Sequence, residues 1–191
     1  TPLTSIKGYL SMVLDGDAGD VTPAQRKLLE ESFVSSQRMV ALIEDFLNLS
    51  RLQTGRFSID KEPSNIEEIV REEVGSLTST AENRTLELQL AVGKDIPEKI
   101  LADSGKIRQV VMNLIDNAIY YSRPNKKIQV RLARDGGSIR FTVRDRGIGV
   151  PKSEQGRLFT RFYRANNAKK QRPDGTGVGL YLAKRVIDEH G

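Results

Sequence analysis

The sequence predicts an α+β chain in which an N-terminal antiparallel helical hairpin precedes an α/β sandwich built on a mixed sheet. Residues 1 to about 54 show only the helical spacing of apolar residues, interrupted by one run of turn residues. From residue 56 onward, short alternating segments are interleaved with amphipathic helical ones, and two of the strands are joined directly by a tight turn. Gly55 and the change of composition behind it divide the chain into a first region, 1–55, and a second, 56–191.

In the first region Leu3, Ile6, Leu10, Val13 and Leu14 follow one helix face, and the run Asp15 to Asp20 breaks it. Thr22 and Pro23 restart the helix as N-cap and first helical residue. Leu29, Ser36, Ile43 and Ser50 then recur every seven residues, as do Ser32, Met39 and Phe46, and Phe33, Val40 and Leu47. A second helix covers only one flank of so wide a stripe, which predicts a four-helix bundle made by two copies of the chain.

In the second region Phe57 to Asp60 alternates like a strand that Pro63 stops, and Ser64 or Asn65 can cap a helix carrying Ile66, Ile69, Val70 and Val74. Leu86 to Leu90 reads as a half-buried strand, and Ile100 to Ala102 as a short apolar piece before a cap at Asp103-Ser104. The helix from Ile107 to Tyr121 has Ile107, Val110, Val111, Leu114, Ile115 and Ala118 at core spacing. Strands at Ile128–Leu132 and Ile139–Val143 follow, joined at Asp135-Gly136-Gly137. The segment up to Gly175 is loop-rich, and a final helix starts at Gly177.

Composition narrows the chemistry. The 191 residues include no Cys and a single His, His190, so disulfides, thiolate metal sites and a histidine triad are excluded, and a reducing compartment is expected. His190 reads simply as a helix C-terminal residue. No apolar run reaches membrane-spanning length, and Thr1-Pro2-Leu3 does not resemble a signal peptide. The net charge of +5 gathers at Lys126-Lys127 and Lys169-Lys170-Gln171-Arg172 without interleaved aromatics, which argues against a nucleic-acid partner.

Two glycine clusters carry the chemistry. Asp145-Arg146-Gly147-Ile148-Gly149 follows a strand, and Gly175-Thr176-Gly177-Val178-Gly179 opens onto a helix beginning with Leu180. Either alone is an ordinary turn. Together they read as two sides of a phosphate-bearing pocket, with backbone amides at a helix N-terminus and Asp145 available to the amino group of a base. Gln109, Asn113, Asp116 and Asn117 share the polar face of the preceding helix. A neutral amide oxygen suits Mg²⁺ when phosphates complete the shell, and Asn117 is the metal candidate. In Leu158 to Arg164, Phe159 and Phe162 read as core, while Arg161 and Arg164 could hold a terminal phosphate. Ala165 to Pro173 has the makings of a lid.

The segments Asn113–Ala118, Asp145–Gly149, Phe159–Arg164 and Gly175–Leu180 resemble, in order, the N, G1, F and G2 boxes of sensor histidine kinases. Thr1 to Tyr9 resembles the tail of the H box, and the hairpin resembles the dimerisation and phosphotransfer domain. This resemblance implies a cytoplasmic kinase core that binds ATP with Mg²⁺, works as a homodimer, and passes a phosphoryl group from a histidine to the receiver domain of a response regulator. It implies that Asn117 holds Mg²⁺, Asn113 lines the phosphates, Asp145 binds the adenine amino group and Tyr121 packs on the adenine. Arg161 is implied at the terminal phosphate, and Gly147, Gly149, Gly175, Thr176, Gly177, Gly179 and Leu180 around the nucleotide. Thr1 is implied in positioning water for dephosphorylation of the regulator.

The chain departs from the family pattern in three ways. The family's phosphorylated histidine lies four residues before Thr1, so a longer parent protein is expected, with any membrane attachment in its other regions. Tyr120 stands where the family usually has Lys, which removes one phosphate contact, with Arg123 as a candidate substitute. The family also continues past the position of Gly191 into further strands. The competing readings are a degenerate kinase acting as a signalling scaffold and a related ATPase or serine kinase. Mg²⁺-dependent ATP binding separates the first from a kinase, and acid lability of the phosphoryl product separates the second.

Overall fold

A computed structural model of the chain describes residues 2–173 and 175–191. The chain divides into two compact units, Thr1–Phe57 and Ser58–Gly191.

The first unit is a helical hairpin of α1 (Pro2–Asp15) and α2 (Pro23–Gln53). Thr22 and Gln25 form a reciprocal capping box at the start of α2: Thr22 Oγ1 accepts from Gln25 N at 3.3 Å, and Gln25 Oε1 accepts from Thr22 N at 2.9 Å. Gly55 follows the C-cap Thr54 with a φ of +67°, a conformation that favours glycine past a helix end. Much of the apolar surface stays uncovered, with Met39 50% and Phe46 70% exposed.

The second unit contains β1 (Glu62–Ser64), α3 (Ile66–Glu82), β2 (Glu87–Val92), β3 (Ile100–Ala102), α4 (Ser104–Tyr121), β4 (Lys127–Asp135), β5 (Ser138–Arg144), α5 (Lys152–Gln155), α6 (Asn166–Gln171) and α7 (Gly179–His190). β2, β4 and β5 form a mixed sheet, parallel between β2 and β4 and antiparallel between β4 and β5. A parallel pair needs a crossover, and α4 supplies it. On β4 the alternate residues Ile128, Val130 and Leu132 are buried, and they join Val70 of α3 and Ile115 and Ile119 of α4 in one core. The expected α+β architecture with a mixed sheet is therefore the observed one.

Two expectations need correction. The strand foreseen at Phe57–Asp60 is not formed; the strand lies at Glu62–Ser64 and contains Pro63, paired antiparallel with β3. Proline is tolerated because this is a two-stranded ribbon, where an edge residue can forgo a ladder donor. The last helix begins at Gly179 rather than Gly177, since Gly177 takes a φ of +70°.

His190 is more than a helix terminus. Its Nε2 accepts a hydrogen bond from Asp103 N at 3.0 Å, while Nδ1 lies 2.7 Å from Val186 O. Both contacts are satisfied only by the neutral ring with its proton on Nδ1. Asp103 in turn caps α4, accepting from Lys106 N at 3.0 Å, and accepts from Asp60 N at 3.1 Å. His190 thus ties the end of α7 to the start of α4. His190→Ala should lower the unfolding free energy by about 1–2 kcal/mol, measured by urea titration. Nitrogen NMR of the wild-type imidazole should report the Nδ1-protonated tautomer.

Candidate nucleotide site

α4 organises the site because its two faces differ. Val111, Ile115, Ala118 and Ile119 are buried toward the sheet, which turns Asn113, Asp116, Asn117 and Tyr120 to the other side, all half-buried. Asn117 Nδ2 donates to Asn113 Oδ1 at 3.3 Å, so the two amides act as one rigid pair.

The glycine clusters close on opposite ends of this face. Gly147 packs so tightly on the C-terminal end of α4 that a Cβ there would lie 2.2 Å from Tyr121 O. Ile148 N donates to the same carbonyl at 3.2 Å, and Gly147 pairs with Ser122 as an isolated bridge. Asp145 Oδ1 accepts from Gly147 N at 2.8 Å, which fixes the carboxylate over its own turn. At the other end a Cβ on Gly179 would lie 2.5 Å from Asn113 Nδ2. Tyr121 lies eight positions after Asn113, about 12 Å along the helix axis, enough to part a base from its outer phosphates.

The second cluster leads into α7, whose N-cap, Val178, offers no side-chain cap. Its first amides are therefore available to an anion at the positive end of the helix dipole. Thr176 Oγ1 accepts from Val178 N at 3.3 Å, and Leu180 occupies the first turn. Gly177 rests against the backbone of Phe162 and Tyr163, its virtual Cβ 2.8 Å and 2.9 Å from Phe162 C and Tyr163 O. Gly149, at φ +64°, offers its carbonyl to Asn167 Nδ2 at 2.8 Å.

Several sequence expectations for the segment between the clusters are revised. Phe159 and Phe162 are not core: they are 49% and 61% exposed. Phe162 has a φ of +62°, a turn that throws its ring outward and sends Tyr163 inward instead. Arg161 is exposed, its guanidinium 5.4 Å from the Phe162 ring centroid. Arg164 is engaged within the loop. Its two terminal nitrogens donate to the carbonyls of Ala168, Arg172, Pro173 and Gly175, so the lid is organised around it. Thr1 lies outside the described residues.

Glu154 ties the start of the lid to the segment before it. Its Oε2 accepts from Tyr163 OH at 2.8 Å and from Asn166 N at 3.0 Å. The Asn166 amide, then the Tyr163 hydroxyl, hold the Glu154 carboxyl below its ordinary value, while burial and Glu154 push the Tyr163 phenol up. A depressed carboxylate contributes its stabilisation above the unfolded pKa and loses it as pH falls through the folded one. The Asn166 amide resonance should therefore hold its position at neutral pH and move only as pH falls below the ordinary carboxylate range. In Glu154→Gln that movement should vanish.

The lid folds back on α4. Gln171 Nε2 donates to Tyr120 O at 3.1 Å, and Arg172 Nη1 lies 3.2 Å from Asp116 Oδ2. Charge alone did not single out Arg172 within its basic run, because it does not show which of Lys169, Lys170 and Arg172 reaches α4. Arg123, the candidate substitute for the family lysine, is exposed just past the end of α4.

The donor set fits a magnesium nucleotide. Among the described residues no group of three or more His, Cys, Asp or Glu converges into a metal cage. The half-buried Asn117 offers a neutral amide oxygen, a ligand type that Mg²⁺ accepts beside phosphate oxygens. No helix among the described residues is long and apolar enough to cross a membrane.

Residues 1–55 match the His Kinase A (phospho-acceptor) domain, and residues 102–191 match the histidine kinase-, DNA gyrase B- and HSP90-like ATPase family. The circadian input-output histidine kinase CikA of Synechococcus elongatus is 31% identical over all of this chain and 26% of its own length. The signal transduction histidine-protein kinase BarA of Escherichia coli is 30% identical over all of this chain and 21% of its own. The chain thus spans about a fifth to a quarter of these relatives. Full-length ShkA, solved in complex with AMPPNP, superposes with a TM-score of 0.71 and 28% identity over 97% of this chain and 38% of its own.

Proposed function

Because this chain belongs to the histidine kinase family, with a phospho-acceptor domain followed by an ATP-binding domain, we propose that it binds Mg-ATP and delivers the γ-phosphoryl group to a histidine a few residues before Thr1. From there the group passes to an aspartate in the receiver domain of a response regulator. The observation that carries this reading is the closing of one glycine cluster on Asn113 and the other on Tyr121, at the two ends of a single helix face.

In this reading the adenine lies at the Tyr121 end, its amino group on Asp145, where Gly147 allows the loop to approach. The phosphates lie at the Asn113 end, against the amides of the Gly175–Gly179 cluster and the start of α7. Asn113, locked to Asn117, orients them, and the Asn117 oxygen holds the magnesium ion. When bound, that ion would supply positive charge to offset the phosphates. Arg161, exposed on the surface of its unit, is free to act on the terminal phosphate only when the catalytic arrangement brings it there. Thr1 assists the reverse reaction by positioning water. The uncovered stripe on α2, with Met39 and Phe46 on it, seats a second copy of the chain, and the assembly works in the cytoplasm.

The test uses the chain extended by the residues that precede Thr1 in its parent protein, incubated with γ-labelled Mg-ATP. The expected product carries label that is lost in acid and kept in alkali, on a protein that sediments as a dimer. Label that survives acid would mean transfer to a hydroxyl and would overturn the histidine reading. ATP binding without any label would favour a signalling scaffold.

A further inference from the structure

The Tyr120 ring is held by more than the lid. Arg172, from the lid, sets its guanidinium carbon 4.4 Å from the centroid of that ring. Arg84, from the turn between α3 and β2, sets its own guanidinium carbon 4.6 Å from the same centroid. The ring of Tyr121 meets it edge-on, with centroids 5.5 Å apart and planes at 66°. The lid also reaches the backbone here, since Gln171 Nε2 donates to Tyr120 O at 3.1 Å. One residue of α4 thus joins the lid, the tyrosine after it and a turn that belongs to neither glycine cluster.

A cation over an aromatic face is held by the ring's quadrupole and needs no fixed hydrogen-bond geometry. Such a contact opens and closes without rebuilding what surrounds it. Two cations on one ring repel each other, and Asp116, 3.2 Å from Arg172 Nη1, offsets that cost on the lid side. Arg84 is exposed, but its backbone is fixed. Arg84 N donates to Ala81 O at 3.0 Å, Thr85 takes a φ of +57°, and Thr85 O accepts from Asn125 N at 2.9 Å. Buried Leu86 follows and roots the turn in the core. The Arg84 side chain therefore rises from a rigid base, and its guanidinium limits how far the Tyr120 ring can turn.

We propose that Arg84 is a positioning residue of this site: it steadies the Tyr120 ring from outside the lid, so that the ring serves as a latch for Arg172 and sets how fast the lid opens for nucleotide exchange. This inference rests on the nucleotide reading given above. With the ring pinned, Arg172 finds its seat already formed. With the ring free to turn, the seat is present only part of the time and the lid lifts more often. The latch is made of protein groups alone, so loosening it speeds entry and departure together and leaves equilibrium affinity nearly unchanged.

The experiment follows Arg84→Ala in the full chain by two readouts. Amide hydrogen exchange reports on the lid without nucleotide, through Lys169 N and Arg172 N, which donate within the lid to Ala165 O and Ala168 O. Stopped-flow displacement of a fluorescent ADP in the presence of Mg²⁺ reports nucleotide release. Both rates should rise about two- to fivefold, with the dissociation constant within about twofold of wild type and the melting temperature unchanged. Tyr120→Leu, which removes the ring, should speed both about tenfold, whereas Tyr120→Phe, which keeps it, should leave both at the wild-type value. Unchanged lid exchange in Arg84→Ala would overturn the proposal. Faster lid exchange without faster release would also overturn it, and so would release that rises only in step with lost affinity, because a latch moves both directions alike. If the wild-type chain bound no nucleotide, the nucleotide reading would fall and the gating role with it; full affinity with unchanged rates in the variant would remove the gating role alone.

Discussion

Asn117→Ala is expected to reduce nucleotide affinity in the presence of Mg²⁺ by roughly a hundredfold or more, to the level that wild type shows in EDTA. The argument is chemical. Asn117 offers a neutral amide oxygen on the site face of α4, a ligand type that Mg²⁺ accepts beside phosphate oxygens and water. Because Asn117 Nδ2 donates to Asn113 Oδ1, the Asn117 oxygen is the end of that amide left to face the site. The lost amide contact costs only about 1 kcal/mol of stability, so the variant should melt close to wild type. Titration calorimetry with Mg-ATP, with and without EDTA, reads the effect. A variant that kept full Mg²⁺-dependent affinity would take the metal away from Asn117.

Gly147→Ala should be the most disruptive single methyl group in the second unit. The new Cβ would meet Tyr121 O at 2.2 Å and Tyr121 C at 2.8 Å, both backbone atoms that cannot turn aside. The loop must retreat, and with it go the hydrogen bond from Ile148 N to Tyr121 O and the bridge to Ser122. We expect about 2–4 kcal/mol of destabilisation, read by chemical denaturation, and loss of adenosine binding. Gly149→Ala is the control: nothing lies within 4 Å of its Cβ, and only the φ of +64° opposes the change. It should cost about 1–2 kcal/mol. If the two variants proved equally mild, the close approach of the loop to α4 would not be what holds the Tyr121 end together.

Most helices and strands were legible because their periods were unambiguous. The spacing Ile107 to Ala118 set both the existence of α4 and the face it turns to the core, so the placing of Asn113 and Asn117 on the far side followed from the same residues. The strand at Glu62–Ser64 was missed because proline argues against a strand unless the pair has a free edge, and only the topology shows that it does. Phe162 was misread because hydrophobicity alone gives no warning of a left-handed backbone. The lid was legible at Ala165 to Pro173, but its contacts were not, because the partners of Arg164 and Arg172 are carbonyls, a ring and a carboxylate, the last 56 residues away in sequence.

The parallel pairing of β2 with β4 has a consequence for how the domain is made and kept. The chain between those two strands includes the crossover helix that bears the amides and the tyrosines, so the pairing of the sheet and the placing of the site face are coupled. Any occupant of the cleft then acts as a thermodynamic brace for the whole domain, raising its melting temperature with the logarithm of the occupant's concentration. A cell short of that occupant would carry a less durable protein as well as an idle one.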